Sequence, residues 1–307
     1  MSQKPESLSF DRDFEPAHGT AIPVAGNVLR LTANNESPFT FTGTNSYLIG
    51  TDTLAVIDPG PEGDERHYEA LLRAIAGRPV SHIFVSHTHR DHSPLARRLK
   101  DETGALLVAE GPHRAFRPLA LNETNALDAS ADNEFQPDHA LGDGEVVEGD
   151  GWALRAVLTP GHCANHACFA LEGTGILFSA DHVMAWATTI VAPPDGAMAP
   201  FMASLDKLLA RDDHVYLPGH GGPVRSPQKF VRGIRSHRKM RERAILARVQ
   251  KGDRTIPEIV SAIYASTDPR LHGAAGLSVF AHIEDLAGRG LISSDGPLTI
   301  SSVLRAA

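Results

Sequence analysis

Cysteine is scarce. The 307-residue chain has two, Cys163 and Cys168, too few for a disulfide framework, and this points to a reducing compartment and a cytoplasmic protein. Long apolar runs are missing as well. No uncharged stretch approaches the roughly 20 residues that cross a bilayer, so no membrane role is expected. The first twenty residues mix Lys4, Glu6, Asp11, Arg12, Asp13 and Glu15 with no apolar core, and no secretory signal is read there. Positive charge does not dominate either: the net charge of -8 argues against a protein that coats nucleic acid indiscriminately, while leaving room for a local basic patch. The 42 % apolar and 21 % charged content is ordinary for a globular protein, and the length suffices for two domains with a well-buried core.

Histidine is what the chain does have, 16 in all. Three of them and a carboxylate fall within six residues, His87, His89, Asp91 and His92, directly after the apolar run Val80 to Val85, which reads as a buried strand. Alternate residues of an extended segment point the same way. His87 and His89 can therefore aim at one ion, while Asp91 and His92, past a turn, reach a second. Ser93 and Pro94 then read as the N-cap and first residue of a helix running to about Glu102. Metal ligands at the carboxyl end of a strand sit where α/β folds tend to place their chemistry.

The spacing His-x-His-x-Asp-His resembles that of the metallo-β-lactamase superfamily, and the family's other motifs follow in order. Asp58, in Ala-Val-Ile-Asp-Pro-Gly, matches the acidic residue that sits behind the metal and orients a ligand. His162, in Leu-Thr-Pro-Gly-His, matches the third ligand of the first ion. Asp181 matches the bridging carboxylate, and His220, in Pro-Gly-His-Gly, the last ligand of the second. The resemblance spans about residues 25 to 225. It implies a four-layer αββα fold with His87, His89 and His162 on one ion, Asp91, His92 and His220 on the other, and Asp181 between. Such nitrogen and oxygen ligation suits two Zn²⁺, with Mn²⁺ or Fe²⁺ as alternatives, because nothing soft is offered. Two such ions lower the pKa of a hydroxide-forming water held between them and supply the nucleophile. Asp91 is placed to accept the proton during attack, with Asp58 acting from behind the ligands.

Around this centre the chain divides into an arm at 1–24, the catalytic unit at 25–225, a basic connecting helix at 226–250 and a terminal unit at 251–307. Strand signals at Val28 to Leu31, Gly43 to Gly50 and Leu54 to Ile57 precede an amphipathic helix, His67 to Ala76. Residues 111–140 hold scattered Pro, Asn and Asp and read as a long loop that roofs a cleft, with His113, Arg114 and Arg117 as candidate substrate contacts unless the loop is merely solvated. His166 is a further candidate contact, with a hydrogen-bonded structural role as the alternative. Cys163 lacks an evident base and orienting partner, which argues against a catalytic thiol. Trp152, Trp186 and His182 read as structural. Residues 225–250 carry nine Lys or Arg against one Glu. Beyond them, helices at Ile256 to Tyr264 and Leu277 to Gly288 and a hairpin of 290–293 with 298–300 look like a winged helix. Such a module contacts nucleic acid, packs or dimerises. The acidic residues Glu284 and Asp285 favour packing, and a homodimer stays open.

The terminal winged helix, Gly-Thr-Asn-Ser-Tyr-Leu at 43–48, Thr-Pro-Gly-His-Cys-Ala-Asn-His at 159–166 and Ser236-His237-Arg238 together resemble the β-lactamase-like endoribonucleases of animal mitochondria and their bacterial relatives. Ala164 and Asn165 stand where that branch has an acidic pair, and Phe201 where it has a tyrosine. The resemblance implies a dinuclear hydrolase of phosphodiesters, single-stranded RNA above all. Hydrolysis of a small thioester or ester in the manner of glyoxalase II, or of a lactone or lactam, is the alternative, and a winged-helix regulator with a metal-sensing domain is the alternative of another class.

Overall fold

The computed structural model describes residues 8–120, 123–125 and 130–307. The start of the N-terminal arm and two pieces of the roofing loop lie outside them. Two sheets stack face to face. The first is built from β1 (Ile22–Ala25), β2 (Val28–Thr32), β3 (Asn45–Ile49), β4 (Leu54–Ile57), β5 (Val80–Val85), β6 (Leu106–Ala109) and β7 (His139–Ala140), paired in that order. Pairing is antiparallel as far as β4 and parallel from β4 to β7. The parallel strands are joined through α1 (Glu65–Ile75) and α2 (Leu95–Thr103). β4 and the second half of β5 are buried continuous apolar runs, as expected for strands covered on both faces. Asp64 starts α1 by accepting from the His67 backbone N–H, and Ala76 in a left-handed conformation ends it.

The second sheet takes β8 (Val146–Gly149), β9 (Trp152–Leu158), β10 (Ala167–Leu171), β11 (Ile176–Ala180) and β12 (Val215–Pro218), in the order β12-β11-β10-β9-β8. Its α3 (Met198–Leu209) runs between the parallel neighbours β11 and β12. Tyr47, Ile57, Phe84, Trp152, Phe169, Phe178 and Leu217 fill the space between the sheets. α1 and α2 cover the outer face of the first sheet through Leu71, Ile75, Leu95 and Leu99, and α3 covers that of the second through Phe201, Leu205 and Leu208. The layers are therefore helix, sheet, sheet, helix.

α4 (Pro227–Lys251) belongs to two cores. Val231 and Ile234 pack with α3, whereas Ile245 and Val249 join α5 (Ile256–Ile263), α6 (His272–Gly288), β13 (Ile292–Ser294) and β14 (Leu304–Ala306). The terminal unit is a winged helix, and its hairpin differs from the sequence expectation. β13 pairs with Leu304–Ala306, not with residues 298–300. Those residues turn instead, because the Ser302 hydroxyl takes the Thr299 backbone N–H and removes it from any ladder. α6 begins five residues earlier than its apolar pattern suggested, running through Gly273 and Gly276. α2 begins one residue late, at Leu95, without a side-chain cap, and the Ser93 hydroxyl donates to Asp132 at 2.8 Å. Among the described residues no helix is long and apolar enough to cross a membrane.

Candidate metal centre

The loops that follow β4, β5, β9, β11 and β12 meet at one edge of the sandwich. There Nε2 of His87 and Nε2 of His162 lie 3.0 and 3.1 Å from Nδ1 of His89. Beside this trio, Oδ2 of Asp91 is 3.2 Å from Nε2 of His92 and 3.3 Å from Nε2 of His220. Asp181 spans the two groups: its Oδ2 is 3.7 Å from His162 and 3.2 Å from His220, and its Oδ1 is 3.5 Å from His92. All seven sequence-identified ligands thus converge, and all but Asp91 are buried.

Each imidazole is aimed by its other nitrogen. Nδ1 of His92 contacts Oδ2 of Asp58 at 2.9 Å, Nδ1 of His162 the Ile190 carbonyl at 2.7 Å, and Nδ1 of His220 the Gly43 carbonyl at 3.2 Å. Nδ1 of His87 lies 3.0 Å from the Ser86 hydroxyl, whose proton goes to Asp58. His89 faces Cys163 in the same sense, Nε2 to Sγ at 3.3 Å. This pattern directs one lone pair per ring into a common space, as metal ligation requires. Asp58 touches Ser86 and His92 and is outside the grouped ligand atoms. Thr44 donates to Asp91 at 2.9 Å from the far side.

The charge distribution suits a cation. Burial pushes His89 down to about 3 and holds His87 well below the imidazole range, so both are lone-pair donors at neutral pH. Burial also opposes a proton on His92 and His220, yet the carboxylates Asp91 and Asp181 outweigh it and raise both, His220 to about 9. Nε2 of His92 and Oδ1 of Asp181 are buried without a hydrogen-bond partner among the described residues, a costly state that a coordinated cation removes. Gly219 leaves room for them. A Cβ there would lie 2.5 Å from Oδ1 of Asp181 and 2.7 Å from Cε1 of His92. The residues fit divalent cations: His87, His89 and His162 would hold one and Asp91, His92 and His220 a second, with the Asp181 carboxylate near both groups. One expectation needs correction: a soft donor is present, because Cys163 Sγ lies within 4.8 Å of the first trio's ligand atoms.

A metallo-β-lactamase superfamily model matches residues 39–220, a span that holds every one of these ligands and ends on His220. The chain belongs to the metallo-β-lactamase superfamily. Its ligand set is that of a metal-dependent hydrolase, and a β-lactamase-associated winged-helix model matches residues 255–297. Among curated relatives, an atrochrysone carboxyl ACP thioesterase of Aspergillus fumigatus is 28% identical over 286 residues, covering 88% of this chain and 82% of its own. A β-lactamase-like protein 2 homolog of Drosophila melanogaster is 29% identical over 277 residues, with 87% and 90% covered. A β-lactamase domain protein from Burkholderia ambifaria superimposes with a TM-score of 0.78 at 21% identity, covering 96% of both chains.

The candidate substrate contacts fall in different places. Arg114 is paired with Glu110 at 2.5 and 2.6 Å and donates to the Ala164 carbonyl at 3.3 Å. His166 is fully buried behind His87, its Nδ1 2.8 Å from the Thr159 hydroxyl. Both line a cavity of about 340 Å³ with Ala115, Phe116, Leu158 and Pro160. Arg117 is committed elsewhere: it binds Glu123 and reaches Glu284 on α6 at 2.7 Å, tying the roofing loop to the winged helix. Several residues have supporting roles that the sequence does not assign. Asn165 donates to Thr88 and to the Gly111 and Pro112 carbonyls, strapping the roofing loop to the centre. The buried Arg238 of α4 donates to the Thr189 carbonyl, and the Thr189 hydroxyl donates to the Asp181 carbonyl. Only tertiary contact reveals these roles.

Proposed function

We propose that this hydrolase cleaves a thioester whose acyl part is largely apolar. The observation that carries this reading is the relative described as an ACP thioesterase, matched over 88% of the present chain. The cavity beside the His162 loop supports it. Its volume of about 340 Å³ lies at the low end of the roughly 300–1,000 Å³ typical of small-molecule sites. Ala115, Phe116, Leu158, Pro160 and Ala164 give it one side suited to an acyl chain, facing the polar Glu110, Arg114 and His166. Its one cation, Arg114, is already neutralised by Glu110.

Two divalent ions at the centre would polarise the thioester carbonyl and bring a water's pKa towards neutrality. The chain's own contribution is placement. His92 and His87 are locked through Asp58 and Ser86, and Asp91, steadied by Thr44, is the carboxylate best placed to take a proton from the attacking water. Gly219 keeps the space between the ligands open.

The phosphodiester reading implied by the endoribonuclease resemblance would set the basic stretch 225–250 near the phosphates. Part of that charge is spent internally: Arg238 is buried on a carbonyl, and Arg235 and Arg248 pair with Asp206 and Asp253. The test is turnover by metal-loaded protein, with His89→Ala as control, on an acyl-CoA series from acetyl to decanoyl, S-lactoylglutathione, bis(p-nitrophenyl) phosphate and a short single-stranded RNA. Thioester cleavage that rises with acyl length and vanishes in the variant supports the proposal. Cleavage of RNA or the phosphodiester, with thioesters untouched, sinks it.

A further inference from the structure

We infer that Cys163 is the positioning residue of His89, accepting the Nε2–H of that imidazole on Sγ and so aiming Nδ1 at the first ion. The inference rests on the two-ion reading of the centre and concerns a side chain that reading leaves unassigned. The two nitrogens of His89 have separate neighbours. Nδ1 faces His87 and His162 at 3.0 and 3.1 Å, which places it on the ligand space. Nε2 faces Sγ of Cys163 at 3.3 Å, while Sγ stands 4.0 Å from Nδ1. If Nδ1 gives its lone pair to an ion, the ring proton must reside on Nε2, and the sulfur is the acceptor in front of it.

The other four ligand histidines make the comparison. Each rests its rear nitrogen on an oxygen, from Ser86, Asp58, Ile190 or Gly43. His89 alone rests on sulfur. Cys163 is fully buried, and the turn that carries it is closed by the Gly161 N–H donating to its own carbonyl at 3.1 Å. The thiol is therefore held against the ring and shielded from bulk solvent. Direct sulfur ligation is the competing arrangement, since Sγ lies within 4.8 Å of the ligand nitrogens. The geometry favours positioning because Sγ is nearest to the nitrogen that does not face the ligand space.

Cobalt distinguishes the two. Wild-type protein titrated with Co²⁺ should show visible ligand-field bands without the near-ultraviolet sulfur-to-cobalt charge-transfer band. Cys163→Ala should bind the first Co²⁺ about 10–100-fold more weakly, the usual effect of removing a ligand's orienting partner, and Cys163→Ser, which restores an acceptor, should recover most of that loss. A charge-transfer band in the wild type that disappears in Cys163→Ser makes Cys163 a ligand and overturns the inference. Wild-type affinity in a folded Cys163→Ala, judged by circular dichroism of the metal-free protein, overturns it too. The wild-type spectrum needs no variant to fold. Failure of the wild type to bind Co²⁺ at all would reject the metal reading and this inference with it.

Discussion

Oδ2 of Asp58 sits 2.9 Å from Nδ1 of His92 and 2.7 Å from the Ser86 hydroxyl, while Oδ1 takes the Ser86 backbone N–H at 2.7 Å. One carboxylate at the end of β4 thereby fixes the end of β5 and, through Ser86 and directly, one imidazole of each half of the centre. Asp58 pays for this position with a left-handed backbone, φ 49°, which few side chains adopt.

Asp58→Asn keeps the shape but replaces one acceptor oxygen by an N–H that opposes its donor neighbours. Metal affinity should fall by about 10–100-fold with little change in far-ultraviolet circular dichroism. Competition with a chromophoric chelator measures it, and unchanged affinity would remove Asp58 from the positioning role.

Gly219→Ala places a methyl group within 2.5–2.7 Å of Asp181 and His92. Displacing two ligands should lower kcat/KM by at least about 100-fold, the cost of misplacing reacting groups by an ångström, while the inter-sheet core stays intact. Steady-state kinetics alongside thermal unfolding would separate loss of the centre from loss of the fold.

His220→Ala removes a ligand of one ion only. Metal analysis of the purified variant should fall from two ions per chain towards one, whereas His89→Ala should weaken the other. Equal loss of both ions in both variants would show that the two positions fill as a single unit.

Arg117 joins the roofing loop to α6 through Glu123 and Glu284. Arg117→Met leaves two partly buried carboxylates facing each other and should cost about 1–3 kcal/mol. Hydrogen exchange should quicken around residues 111–120 and 280–288 and stay unchanged in β4 and β5. Uniform quickening would mean that the tie is not local.

His282 is buried on α6, where desolvation first, and then Arg238 and His237, push its pKa down to about 3. The unfolded chain takes up that proton near pH 6.5 and the folded chain does not. Its stabilising contribution is therefore full above about pH 6.5 and is lost as pH falls towards 3, reaching about 3 kcal/mol lost at pH 4. Urea unfolding at pH 7, 5.5 and 4 should show a shallower decline in His282→Gln than in the wild type.

How much of this was legible from residues alone follows from what kind of signal each feature leaves. The ligands His87, His89, Asp91 and His92 share one strand end, so their spacing encodes their geometry. Asp58, His162, Asp181 and His220 each close an apolar strand, which made them readable through the family pattern. Residues 298–300 depart from the expected strand because a nearby hydroxyl took a backbone N–H that local propensity assigns to a ladder.

By itself the order of apolar runs indicated a layered α/β unit followed by a winged helix, and the family resemblance carried by His-x-His-x-Asp-His and the motifs after it supplied the four-layer sandwich and the candidate metal ligands, because strand period and motif spacing are local properties of the chain. Tertiary structure decided the rest. Which nitrogen of each histidine faces the shared space, that Cys163 stands beside His89, that Arg117 is a tie to α6 and that Arg238 braces the Asp181 loop all depend on groups brought together from distant positions. No spacing along the chain encodes a contact that exists only once the two sheets and α4 have packed.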